Sequence, residues 1–328
     1  MINKQKEEEF YSKPFNFSYS SLNRLLFSPS LFYKDYILKD REVKTDKHLI
    51  EGKLVHCLVF QPENINVLFS TVPGKIPSEN VKKVLKSLTL HTDTPLLADV
   101  EDFVILDSLK EQNLYQSLKT DEQRVAKIKT TDSEDYYEFI CTTGKDIIDN
   151  DTLLRCQDQA NIIKQNPGVM ELFNTGATDF ELDTLEVFKE KPLECKLQNY
   201  DFGLKGIVDY YTIDHDKKVL HIVDLKTTSK TISDFSESID FYNYWLQASI
   251  YITLALNNHI VAKRENYKIL FTFVVIDKYN QVYPFPVSEK TLSSWATGMV
   301  GVLKCAEHHY KERNYTLPYE FLVDTVEL

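Results

Sequence analysis

The chain is short of the residues that break or staple a backbone. Nine glycines and eleven prolines in 328 residues exclude a collagen-like or linker-rich chain. Its five cysteines, Cys57, Cys141, Cys156, Cys195 and Cys305, never lie close together, so there is no CxxC pair for a metal or a redox couple. An odd count with no secretory leader points to free thiols in a reducing cytoplasm. No run approaches about 18 uncharged apolar residues, so no membrane span is expected. Walker A loops, GxGxxG turns and GxSxG elbows are missing, as is a Cys–His dyad, and no nucleotide cofactor is expected. There is no internal repeat. Positive charge is also in deficit: 38 basic against 49 acidic residues give −11. That excludes a general nucleic-acid coat and leaves local basic patches open.

What the chain does have is ordinary globular material: 43% hydrophobic and 27% charged residues, with 19 Tyr and 19 Phe. That is enough for a large core in one elaborated domain or two. Residues 1–13 are charged and read as a frayed end. Residues 18–60 have helical spacing. Ser18 or Ser20 can cap a stretch carrying Leu22, Leu25 and Leu26, and Pro29 can open a second helix. His48–Phe60 is a third, ended by Pro62. Residues 61–175 read as a helical insertion or cap. From residue 176 the texture becomes strand-like: Phe180–Phe188, Leu193–Leu197, Gly203–Ile213 and Val219–Thr227. His215-Asp216-Lys217 is suited to the turn between the last two. A helix follows over 241–257, then strands over Tyr267–Ile276 and Gln281–Val287. The second contains prolines and suits a sheet edge. A last helix covers 288–312, with His308 and His309 read as exposed surface. The order predicts a mixed α/β core, 176–328, with a helical part, 1–60, and a helical attachment.

The most informative stretch is Gly206-Ile207-Val208-Asp209 followed by Ile222-Val223-Asp224-Leu225-Lys226-Thr227-Thr228. Asp224 and Lys226 are two apart on a strand and share a face. Two charges among Ile222, Val223 and Leu225 are costly unless they pair or bind something. A hairpin could bring Asp209 to Asp224. Two converging carboxylates beside a lysine make a site for a hard cation. A purely structural Asp224–Lys226 ion pair, with Asp209 in a solvated turn, stays open on these residues alone.

The wider pattern resembles the PD-(D/E)xK nuclease superfamily, most closely its RecB-like and RecE-like exonuclease branch. Lys205–Asp209 is similar to the strand ending in the first metal-binding acid, and Ile222–Thr228 to the strand carrying the acid and lysine. Tyr244–Tyr251 is similar to the QxxxY helix, and Gly52–Phe60 to a helix whose histidine is a metal ligand. Tyr19-Ser20-Ser21-Leu22 with Ser28-Pro29 and Tyr33 is similar to an N-terminal element of the RecE-like branch. The resemblance implies a restriction-endonuclease-like mixed sheet flanked by helices. It implies a divalent cation, Mg²⁺ or alternatively Mn²⁺, held by His56, Asp209, Asp224 and the Leu225 carbonyl. Lys226 would orient or deprotonate the attacking water, while Gln247 and Tyr251 would line the site. The family also supplies a glutamate ahead of the first aspartate. Glu186 and Glu194 both fit loosely, and Glu194 is preferred because its strand should directly precede Gly203–Asp209. Some relatives carry an iron–sulfur cluster on grouped cysteines; only Cys305 lies near the C-terminus, so none is expected.

The resemblance thus implies a metal-dependent exodeoxyribonuclease acting on double-stranded DNA ends in recombination or repair, in a bacterial or phage-infected cytoplasm. A single-strand annealing protein and further copies of the chain are expected partners. The alternatives are a single-strand-specific or endonucleolytic enzyme, or a DNA-end-binding module that does not cut.

Overall fold

The computed structural model describes residues 16–40, 47–142, 144–173 and 184–326. The charged residues 1–13 and the start of the expected Phe180–Phe188 strand lie outside them. In chain order the elements begin with β1 (Asn16–Phe17), α1 (Tyr19–Phe27), α2 (Pro29–Phe32, continued by a wide turn over Tyr33–Ile37) and α3 (Lys47–Phe60). Next come α4 (Ile65–Leu68), β2 (Phe69–Thr71), α5 (Glu79–His91), α6 (Asp102–Glu111), α7 (Asp121–Ile128), α8 (Thr131–Cys141) and β3 (Asp146–Ile148). Then follow α9 (Asn150–Gln165), α10 (Pro167–Phe173), β4 (Leu185–Lys196), β5 (Gly203–Asp214), β6 (Val219–Thr228), α11 (Phe235–Phe241) and α12 (Tyr244–Asn258). The chain ends with α13 (Ile260–Arg264), β7 (Lys268–Asp277), β8 (Val282–Pro286), α14 (Glu289–Glu312) and α15 (Tyr319–Val323).

Two compact units result. Among the described residues, one comprises 63–156 and the other 16–62 with 157–326. The smaller unit is helical around its own core, with Val84, Leu85 and Leu88 of α5 packed among Ile105, Leu109, Ile128 and Tyr137. It also contains a two-stranded parallel pair, β2 with β3. Strands of three residues are too short to show a period, which is why the sequence reading of this region contains only helices.

The larger unit holds a six-stranded mixed sheet in the order β1-β5-β6-β7-β8, with β4 also paired to β5. β6 and β7 are parallel, while β4–β5, β5–β6 and β7–β8 are antiparallel. β8 is the edge strand, as its prolines require. Helices flank the sheet, and Leu22, Leu246, Ile250, Leu254, Phe271 and Phe273 share one buried core.

The β5–β6 ladder decides where the chemistry can sit. It runs from Asp214–Val219 only to Tyr210–Val223 and then stops. Farther along, β1 takes the vacated side of β5, pairing Asn16 with Gly203 and Phe17 with Leu204. Asp209 and Asp224 are the next two residues beyond the split. Opening a ladder leaves backbone groups without partners, and one is used at once: the Leu225 N–H donates to Asp209 Oδ2 at 3.0 Å.

One sequence expectation fails. His309 is fully buried, not surface. The helix ends at Arg313 in the left-handed region, φ 52°, and the following chain turns back over it. His309 Nδ1 donates to the Asn314 carbonyl at 2.5 Å, and its ring stacks on Tyr315.

Candidate active site

α3 brings His56 to the split. Gly52, one turn earlier, lets the helix approach β6: a Cβ there would already touch Thr227 Oγ1 at 3.4 Å. His56 Nε2 then lies 2.8 Å from the Leu225 carbonyl and donates to it. Its other nitrogen, Nδ1, faces two carboxylates at 3.5 Å each, Asp209 Oδ2 and Glu190 Oε1. His56, Glu190 and Asp209 form a group whose ligand atoms all lie within 4.8 Å of one another.

Glu190 is the residue the sequence reading missed. It stands in β4 where the β4–β5 register brings it opposite Asp209, between the pairs Lys189–Tyr210 and Lys191–Val208. Its backbone is in the left-handed region, φ 43°, which costs a non-glycine residue about 1 kcal/mol or more. Glu194 goes elsewhere. It pairs in register with Lys205 and accepts from Asn16 Nδ2 at 3.4 Å. Glu186 instead meets His215 Nε2 at 2.7 Å, near the β5–β6 turn. The structure therefore brings neither expected glutamate to Asp209. The β4–β5 loop spans residues 197–202, and only with these bounds does reflecting Asp209 through the loop's midpoint land on Glu190.

Asp224 is fully buried, and its Oδ1 has no hydrogen-bond partner. Its countercharge is Lys226, in direct contact with it. Lys226 Nζ also lies 4.9 Å from the centre of the Tyr244 ring. Burial pushes the Asp224 carboxyl up to about 6, although Lys226 opposes this. Burial likewise raises Asp209, against the pull of His56. Burial alone would lower His56, but Asp209 and Glu190 outweigh it and lift the imidazole to about 9. Lys226 is also desolvated, yet Asp224 and Asp209 hold it above its ordinary value. Lys226 is therefore charged, and His56 carries a proton that a cation bound at Nδ1 would displace.

These donors fit a hard divalent cation. Asp224 Oδ1 is buried without a hydrogen bond, and Glu190 Oε1 has only the 3.5 Å approach of His56; such groups are expensive unless something binds them. The Leu225 carbonyl and a single imidazole complete a set rich in oxygen. His56, Glu190, Asp209, Asp224 and the Leu225 carbonyl are the groups that could hold the ion. Gln247 and Tyr251, one turn apart on α12, are hydrogen-bonded to each other at 2.8 Å. The Gln247 carbonyl oxygen has no partner. Tyr251 packs where Gly206 leaves room, since a Cβ there would lie 3.2 Å from its ring.

A family model for the PD-(D/E)XK nuclease superfamily matches residues 152–314, which span β4 to β8. The mixed sheet flanked by helices is consistent with a PD-(D/E)XK nuclease fold. The match supports a nuclease, and PD-(D/E)XK nucleases use divalent metals, in keeping with the His56–Glu190–Asp209 group. Among solved structures the chain is similar to a protein from Eubacterium rectale provisionally named an exonuclease, at 11% identity and a TM-score of 0.41, covering 93% of this chain and 86% of that one. It is also similar to SSO0001, at 13% identity and a TM-score of 0.21, covering 53% of this chain and 79% of that one. Both likenesses are too loose to bear on activity. No curated protein matches the chain. No helix among the described residues is long and apolar enough to cross a membrane.

Proposed function

We propose that this protein is a metal-dependent exodeoxyribonuclease of the RecE-like kind, resecting double-stranded DNA ends for recombination or repair. The observation that carries the nuclease reading is the buried Asp224–Lys226 pair beside the His56–Glu190–Asp209 group, at the point where β5 and β6 part. The RecE-like assignment and the preference for ends draw support from the N-terminal element. Tyr19 of that element donates to the Tyr242 carbonyl, just ahead of the QxxxY helix.

A bound Mg²⁺ or Mn²⁺ would lower the pKa of its water and offset charge on the phosphate. The chain's own residues do the rest. Glu190, Asp209 and Asp224 supply negative oxygens, and His56 turns a nitrogen toward them. Lys226, held as an ammonium by Asp224, can hydrogen-bond the attacking water and the phosphate together, fixing the line of attack. Burial of Asp224 keeps bulk water from screening that pair.

The test uses linear duplexes labelled at either 5′ or 3′ end, a covalently closed circle and a single strand, each with Mg²⁺, Mn²⁺ or EDTA. Stepwise release of end label from the linear duplex, with the circle intact, is the expected result. Asp224→Ala and Lys226→Ala, checked for folding by circular dichroism, should each lower the rate at least about a hundredfold. Full activity in both folded variants overturns the mechanism. Cutting of the circle moves the assignment to an endonuclease, and binding without cutting in either metal moves it to an end-binding module.

A further inference from the structure

A groove of about 890 Å³ is lined among others by Tyr19, Arg24, Phe27, Lys34, Phe241 and Asn243. Its volume falls in the range of ligand sites, and the mechanism above does not use it. Two of its walls carry bare aromatic rings: Phe27 and Phe241 are each 75% exposed. Such rings, flanking a concave surface, offer faces that a ligand can cover.

The groove is joined to the acid cluster by a run of touching rings. Lys226 Nζ lies over Tyr244 at 4.9 Å. Tyr244 stacks on Tyr242 with ring centres 5.4 Å apart, and Tyr242 meets Phe241 edge-on at 4.8 Å. Lys230 Nζ stands 5.9 Å from the Phe241 ring and 3.2 Å from Glu237. The backbone beneath the run is fixed. Tyr19 Oη and Asn23 Nδ2 both donate to the Tyr242 carbonyl, and Asn243 Nδ2 donates to Asn23 Oδ1 at 2.7 Å. A platform held this way loses little freedom when it is covered. Arg24 and Lys34 supply positive charge at the groove, each balanced by a local acid, Asp35 and Asp40 respectively.

Resting on the nuclease reading, we propose that this groove holds unpaired nucleotides of a DNA strand, with bases stacked on Phe27 and Phe241 and phosphates facing Arg24, Lys34 and Lys230. Two features favour a strand over a protein partner. The rings lead from Phe241 to Lys226, and cations lie over two of them and in the groove wall, an arrangement suited to binding single strands through stacking and backbone charge. Such a site takes the end of a strand once it has left its duplex partner.

The test measures binding in EDTA, where nothing is cut, by fluorescence anisotropy of a short labelled oligothymidylate. An abasic strand of the same length serves as a second probe. Phe27→Ala and Phe241→Ala should each weaken oligothymidylate binding by about tenfold, with Phe241→Trp restoring it. The unaltered protein should bind the abasic strand as weakly as the alanine variants bind the normal one, a comparison needing no variant to fold. Equal affinity for the two strands, or unchanged affinity in both alanine variants, overturns the proposal. So does a change of oligomeric state on sedimentation with DNA binding intact, since the groove would then cover a protein. Cleavage is assayed in parallel with Mg²⁺. Stacking without any cleavage sinks the nuclease reading and leaves the groove; cleavage without stacking does the reverse.

Discussion

At the residue scale the site depends on a backbone conformation as much as on side-chain types. Glu190 holds φ at 43° with its strand neighbours still in register, so the strain is local and turns one carboxylate toward His56. Such strain persists where the surroundings over-determine it, as at a ligand site. Glu190→Gln keeps the shape and removes the charge. It should weaken Mn²⁺ binding, measured by calorimetry, by at least about tenfold. Glu194→Gln should leave it within about twofold, because Glu194 sits beside Lys205 and Asn16. Equal losses in the two variants would mean that Glu190 is not a ligand. Asp209, Asp224 and Lys226 were legible in the sequence because two charges on one face of an apolar strand need a reason. Glu190 was not, because nothing in Lys189-Glu190-Lys191 marks a charged residue whose importance comes from register.

At the element scale the decisive event is the parting of β5 from β6, and Gly203 is what permits β5 to take new neighbours. It pairs with Lys196 of β4 on one side and Asn16 of β1 on the other. A Cβ there would fall 2.2 Å from the Cys195 carbonyl oxygen, a backbone atom that cannot give way, and 2.6 Å from the Asn16 side-chain Oδ1. Gly203→Ala should therefore cost about 3 kcal/mol in urea unfolding. Gly301→Ala, on an exposed stretch of α14 with nothing near its Cβ position, should gain a few tenths up to about 1 kcal/mol. A Gly203→Ala protein as stable as the parent would mean that the three strands do not close on this residue. Most strands could be read from alternation or β-prone apolar runs, and the β5–β6 turn from His215-Asp216-Lys217, but β4 is one strand, Leu185–Lys196, where the sequence suggests the two pieces Phe180–Phe188 and Leu193–Leu197. The split could not, since where a ladder ends depends on a third strand, Asn16–Phe17, distant in sequence. The same holds for the burial of His309, which the later chain from Asn314 onward imposes.

At the scale of the whole molecule the question is how a chain of charge −11 engages a polyanion. The acid is unevenly spread: residues 63–156 carry 17 acidic and 11 basic side chains, whereas residues 1–60 carry 8 and 10. Cations near the site are also matched locally, Arg24 to Asp35, Lys34 to Asp40, Lys230 to Glu237 and Lys226 to Asp224. A protein so arranged cannot bind DNA by releasing many counterions. Its hold must come from a few phosphates, from stacking and from the cation between its carboxylates and the strand. If about three phosphates are neutralised, affinity for a single strand should fall only about 18-fold between 50 and 200 mM salt, a log–log slope near −2.1. The measurement is anisotropy of a labelled strand across that range in EDTA. Removing the cation should lower affinity at every salt concentration and leave the slope nearly unchanged, because the ion acts at the buried acids. A slope steeper than about −6 would require a broad basic surface. Neither the composition nor the ion pairs beside the site provide one, so that result would place the DNA on another face of the molecule.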